Sequence, residues 1–120
     1  DLYALCETII PKGASTFIAT GLAVAIPEGW EGQIRCRSSL GKKGMILPNG
    51  VGTIDADYRG ELKVLATWIG QGDNFTVSKG ERVAQLLFAQ VPKVTIVETS
   101  YEELGNTERG SGGFGSSGQY

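Results

Sequence analysis

Turn-forming residues cut this 120-residue chain into pieces too short for long helices. Its 18 glycines and 4 prolines, with Asn and Asp, bound runs rich in β-branched and apolar residues, and such runs read as strands. "TFIATGLAVAI", from Thr16 to Ile26, ends at the turn signal Pro27-Glu28-Gly29 and is expected to be one strand. "ELKVLATWI" alternates Leu62, Val64, Ala66 and Trp68 with Lys63, Leu65, Thr67 and Ile69, a period of two. Its second face is also half apolar, so burial on both sides is expected, by a second sheet or a partner subunit. "GDN" at 72 to 74 precedes "FTV", "KGE" at 79 to 81 precedes "RVAQLLFAQV", and Pro92 precedes a further strand-like run, "KVTIVETS". Short strands so spaced predict an all-β sandwich or jelly roll. The one helical turn expected is "SSLGKKG", 38 to 44, with Ser38 or Ser39 as N-cap.

This length fits a single domain with one modest core. Eleven Lys and Arg against 13 Asp and Glu give a formal charge of −2, so no general attraction to nucleic acid or anionic membrane is expected. The chain has no histidine, and its two cysteines, Cys6 and Cys36, lie far apart. Cys/His zinc sites, Ser-His-Asp triads and Cys-His dyads are therefore excluded. Proton transfer would fall to a carboxylate, Lys or Tyr, and a metal would be a hard cation such as Mg²⁺ with oxygen ligands. The cysteines are expected to be reduced packing residues. No apolar run approaches the roughly 20 residues of a membrane helix, and no basic-then-apolar start resembles a signal peptide. A cytoplasmic place is expected, with a viral or processed origin left open.

Beyond Leu104 the chain becomes "GNTERGSGGFGSSGQY", dense in Gly and Ser. Such composition suits a flexible tail, yet Arg109 and the single Phe114 among glycines suit a lid: glycines approach a ligand closely, Phe stacks on a flat ring, and Arg meets phosphate. The organisation expected is a core over residues 1–104 with a C-terminal arm over 105–120.

Three further groupings bear on chemistry. "RCRSSLGKKG" sets Arg37, Ser38 and Ser39 where a strand enters the helical turn, a pattern that suits phosphate oxygens or a simple helix cap. "LPNGVGTIDADYRG" combines turn formers with Asp55, Asp57 and Tyr58; it reads as a hairpin with an acidic tip or as a general base beside an aromatic platform. An extended backbone there would put Asp55 and Asp57 on one face. In "GERVAQLLF", Gln85 stands in an apolar strand, where a buried amide must find partners.

Taken in order, these stretches resemble the trimeric deoxyuridine triphosphatase (dUTPase) family along almost the whole chain. "DLYA" at 1 to 4 is similar to the end of its first motif, without the Ala-Gly that precedes it there. "RSSLGKKG", "NGVGTIDADYRGELKV", "GERVAQLLF" and "RGSGGFGSSG" resemble the second to fifth. Cys36 stands where the family often has proline, and Gly41 where it often has alanine.

The resemblance implies a jelly-roll homotrimer with one short helix per chain. Its active sites would lie at subunit interfaces, closed by the glycine-rich arm. The implied reaction is dUTP plus water giving dUMP and pyrophosphate, with Mg²⁺ on the triphosphate; it limits uracil in DNA and supplies dUMP for thymidylate synthesis. Asp55 would deprotonate the attacking water, and Tyr58 would pack under the deoxyribose. Asn49 with the backbone at Thr53 and Ile54 would read the uracil edge. Arg37, Ser38, Ser39 and Gln85 would hold phosphates, with Lys63 as a further contributor. Phe114, flanked by Gly113 and Gly115, would stack on uracil, while Arg109 and Ser116 would grip the terminal phosphates. Asp1 would approach Mg²⁺ through water, and Asp57 would be structural. Two other readings share the fold: a dCTP deaminase relative, and a nucleotide-binding trimer without hydrolysis.

Overall fold

The computed structural model describes residues 1–120 as a jelly-roll-like assembly of short strands. Sheet order β1-β9-β4-β6 joins β1 (Leu2–Tyr3), β9 (Arg82–Gln90), β4 (Trp30–Cys36) and β6 (Gly52–Ile54). A second sheet orders β3 (Thr16–Ala19), β7 (Lys63–Trp68) and β5 (Met45–Ile46), and a ribbon pairs β2 (Thr8–Pro11) with β8 (Asn74–Val77). Every ladder is antiparallel.

Between the layers lies one apolar cluster that includes Ile10, Ile18, Ile34, Met45, Leu62, Val64, Val77 and Val83. From Val64 to Trp68, β7 has every residue buried except the half-buried Leu65, which agrees with the two-sided pattern read from its alternation. Trp68 stacks on Phe75 with ring centroids 4.8 Å apart, tying β7 to the β2–β8 ribbon.

Two expected strands differ. The run from Thr16 leaves the ladder at Ala19 instead of reaching Ile26. Thr20 Oγ1 donates to the Leu62 carbonyl at 2.6 Å and accepts from Leu22 N–H at 3.2 Å, while Gly21 has φ +72 and gives its N–H to Glu61 Oε1. Side chains thus take over the backbone's partners, and apolar composition alone does not reveal that exchange. "KVTIVETS" forms no strand within the chain: it pairs with none of the strands, and Ile96 is 91% exposed. The remaining segment contains one 3-10 turn, Glu102–Leu104.

The short helix forms as α1 (Ser38–Lys43), but Arg37 is its N-cap and neither serine caps it through its side chain. Gly44 closes it with φ +117, and Gly44 and Gly70 cross so closely that a β-carbon on Gly44 would stand 2.5 Å from Gly70 Cα.

Candidate active site

The strand ladders sort the candidate residues into two groups. β4 is followed directly by Arg37, Ser38 and Ser39, and in the β4–β9 ladder Arg35 faces Gln85. Arg37 Nη1 donates to the Arg82 carbonyl at 3.0 Å, and the Arg82 guanidinium lies 3.7 Å from Asp1 Oδ2. Asp1, Arg37, Ser38, Ser39, Arg82 and Gln85 therefore meet at one corner of the sheet. Gln85 is exposed there, contrary to the buried amide expected of its apolar strand. Pairing with Arg35 places both on the face turned away from the core, where Arg35 Nη2 donates to Gln33 Oε1 at 2.6 Å. With six residues in α1, the helix dipole is small, so this corner's attraction for anions rests on guanidinium and hydroxyl groups.

The other group lies toward the opposite end of β4. Register pairs Gly32 with Ile54 and Gln33 with Thr53, so Asp55 follows beside Glu31. From Glu31 to Arg37 an extended strand covers roughly 20 Å, at about 3.3 Å per residue. Within one chain, Asp55 and the Arg37–Ser39 corner are thus far apart. Asp55 lines a 270 Å³ concavity with Trp30, Glu31, Ala56 and the Val91–Lys93 stretch. Trp30, Glu31 and Lys93 carried no functional signal in the sequence beyond a tryptophan directly after a turn; long-range pairing brings them here.

Asp55 and Asp57 do not share an extended face, because the chain turns after Ile54. Tyr58 N–H donates to the Asp55 carbonyl at 3.1 Å, and Arg59 Nη1 caps the turn through the carbonyls of Ala56 (2.7 Å) and Tyr58 (3.0 Å). Tyr58 Oη donates to the Glu61 carbonyl at 2.8 Å, folding its ring over Gly60 and leaving the side chain half-exposed. Asn49 stands at the hairpin before β6, where Gly50 N–H donates to the Leu47 carbonyl at 2.9 Å.

Lys63 lies on a different sheet, with its ammonium 5.7 Å from the Phe17 ring centroid. Both cysteines are free. Cys6 is exposed and not a packing residue, whereas burial pushes the Cys36 thiol up, partly opposed by a hydrogen bond from the Gly41 backbone.

In the C-terminal arm, Arg109, Gly113, Phe114, Gly115 and Ser116 line a 320 Å³ concavity of their own. Arg109 Nε donates to the Gly112 carbonyl at 2.8 Å, and Ser116 N–H to that of Gly113 at 3.1 Å. Phe114 has φ 50 and a fully exposed ring, so a non-glycine residue holds the left-handed conformation while its side chain meets nothing. Glu, Asp and Cys nowhere gather in groups of three or more suited to hold a metal ion directly. No helix is long and apolar enough to cross a membrane.

A family model described as dUTPase matches residues 1–118. The deoxyuridine 5'-triphosphate nucleotidohydrolase of Rickettsia prowazekii is 50% identical over 121 residues, spanning 98% of this chain and 80% of that protein. Its counterpart from Syntrophotalea carbinolica is 49% identical over 122 residues, with the same two shares. Among solved structures, Staphylococcus bacteriophage 80alpha dUTPase with dUPNHPP superimposes with a TM-score of 0.77 at 26% identity, covering 99% of this chain and 85% of that one. The dUTPase from Streptococcus mutans gives 0.74 at 28% identity, covering 79% of each chain. Sequence and architecture agree along nearly the full length, and the chain belongs to the dUTPase family.

Proposed function

We propose that the chain hydrolyses dUTP to dUMP and pyrophosphate as a homotrimer whose active sites form between copies. The separation along β4 carries this reading: the Asp55–Tyr58 turn and the Arg37–Ser39 corner complete a site only when different chains supply them. Asp55, exposed at its turn, takes a proton from water as the water oxygen bonds to the α-phosphorus. The bond from that phosphorus to the bridging oxygen breaks, and pyrophosphate leaves. Arg37, Ser38, Ser39 and Gln85 hold phosphate oxygens, with Lys63 a further contributor from the neighbouring sheet. Tyr58 supports the deoxyribose, and Asn49 with the Thr53 and Ile54 backbone reads uracil.

Mg²⁺ would suit the oxygen donors here: it would be bound through the substrate triphosphate, with Asp1, beside Arg82, as the nearby carboxylate that could approach it through water. When bound, the cation neutralises charge developing on the phosphates. Residues 105–120 act as an arm over the core of residues 1–104: Phe114, between Gly113 and Gly115, stacks on the base while Arg109 and Ser116 meet the terminal phosphates. The deoxynucleotide substrate accords with a cytoplasmic place.

Product analysis with Mg²⁺ on dUTP, dCTP, dTTP and UTP tests this, with Asp55→Asn in parallel. Release of dUMP and pyrophosphate from dUTP alone, lost in the variant while dUTP still binds, is the expected result. Formation of dUTP from dCTP, or undiminished turnover by Asp55→Asn, overturns it.

A further inference from the structure

We propose that a second anion site, separate from the one above, binds a short oligophosphate chain in a concavity walled by Lys12, Lys42 and Lys43. The concavity measures about 600 Å³ and is completed by Trp68, Ile69, Gly70 and Gln71, with no acidic residue in its lining. The two ion pairs of the chain, Arg82 with Asp1 and Lys93 with Glu28, involve none of these lysines. Three exposed lysines from two elements thus border one concavity, and none of them is ion-paired. Lys42 and Lys43 complement the C-terminal end of α1, but the helix does not account for Lys12, which bridges to Trp68 directly after β2.

The floor is braced. Lys12 N–H donates to the Asp73 carbonyl at 2.8 Å, and Gly13 N–H to the Trp68 carbonyl at 3.1 Å. Ile69 N–H donates to the Gly44 carbonyl at 2.9 Å, and Trp68 Nε1 to the Gln71 carbonyl at 3.1 Å. The lysine stems therefore start from fixed backbone, and only their own torsions need ordering on binding. An oligophosphate suits this arrangement because it presents several charges in a row, one for each ammonium. Pyrophosphate, the product proposed above, and the triphosphate of any nucleotide share that chemistry. Because α1 carries the lysines at one end and Ser38 and Ser39 at the other, an anion bound here also bears on the helix that faces the substrate phosphates.

Calorimetric titration of inorganic tripolyphosphate into native protein preloaded with dUpNHpp tests the site, beside the same titration of a Lys12→Gln, Lys42→Gln, Lys43→Gln variant. The native chain is expected to bind one equivalent, weakening as salt rises from ~50 to ~200 mM. The variant is expected to bind about tenfold more weakly or worse while retaining its far-ultraviolet circular dichroism and dUTP turnover. Comparison of native and variant chains reads the lysines whether or not dUpNHpp binds. Pyrophosphate and ATP as alternative titrants distinguish a product site from a general nucleotide site. Equal tripolyphosphate binding by both chains overturns the proposal. So does lysine-dependent binding of an oligothymidylate strand without binding of tripolyphosphate, which assigns the surface to nucleic-acid backbone.

Discussion

Alanine at Gly60 separates the pose of Tyr58 from the stability of the fold. A β-carbon on Gly60 would press against Tyr58 Oη, with Cζ at 2.6 Å and Cε2 at 3.1 Å. Gly60 lies outside the left-handed region, so space, and not backbone conformation, requires glycine there. The obstructing atoms are the far end of a half-exposed ring, which swings aside while the backbone stays. That movement breaks the 2.8 Å hydrogen bond to the Glu61 carbonyl. Such bonds contribute about 0.5–1.5 kcal/mol, and water replaces an exposed one in part, so a stability loss under about 1 kcal/mol is expected. For a domain of this size that lowers Tm by about 4 °C at most. The functional cost is larger: misplacing a substrate platform by about 1 Å lowers turnover by up to about a hundredfold. The expected result is a kcat/KM for dUTP reduced tenfold to a hundredfold (about 1.4–2.7 kcal/mol at the barrier), with poorer discrimination against UTP. Thermal melting and kinetics on both nucleotides measure the two effects. Unchanged kcat/KM for both substrates would refute the platform reasoning, and a large loss of Tm would show that Gly60 answers a backbone constraint instead.

Gly70→Ala gives the opposite outcome, because its β-carbon meets the Lys43 carbonyl and the Trp68 ring at a backbone crossing; chemical denaturation is expected to show a loss of several kcal/mol, of order 3. Thr20→Val strands the buried Leu62 carbonyl and the Leu22 N–H, and a loss of about 1–3 kcal/mol is expected in the same assay. Phe114→Ala is expected to lower kcat/KM for dUTP while sedimentation shows an unchanged assembly, because the ring touches nothing in the single chain. Thiol labelling near pH 8 is expected to modify Cys6 well before Cys36; raising a thiol's pKa lowers its thiolate fraction at that pH, and burial adds a steric barrier. Equal labelling rates would contradict the burial assigned to Cys36.

Local patterns carried much of the fold. The alternation from Leu62 to Trp68 identified a strand buried on both faces, and "SSLGKKG" marked the single helix, because both signals lie within a few neighbouring residues. Where partners are distant, the pattern was silent or misleading. Thr20 ends β3 by bonding residue 62, a choice invisible in "TFIATGLAVAI". Gln85 looked buried among apolar neighbours, yet its orientation depends on facing Arg35 across the sheet. "KVTIVETS" has the composition of a strand but pairs with no strand of its own chain. For the site, motif order named the candidate residues, whereas the links from Arg37 to Arg82 and from Arg82 to Asp1 needed three-dimensional structure.

The length of β4 between Asp55 and Arg37 also has a genetic meaning. In the proposed assembly, a lesion in one chain would damage a catalytic centre shared with its neighbour, while that chain's undamaged end would still serve another centre. On that proposal, two inactive proteins, one lacking the Asp55 carboxylate and one lacking the Arg37 guanidinium, are expected to restore function to each other when they assemble together. In a cell carrying both forms, the heritable unit would be the chain, but the working unit would be the seam between chains.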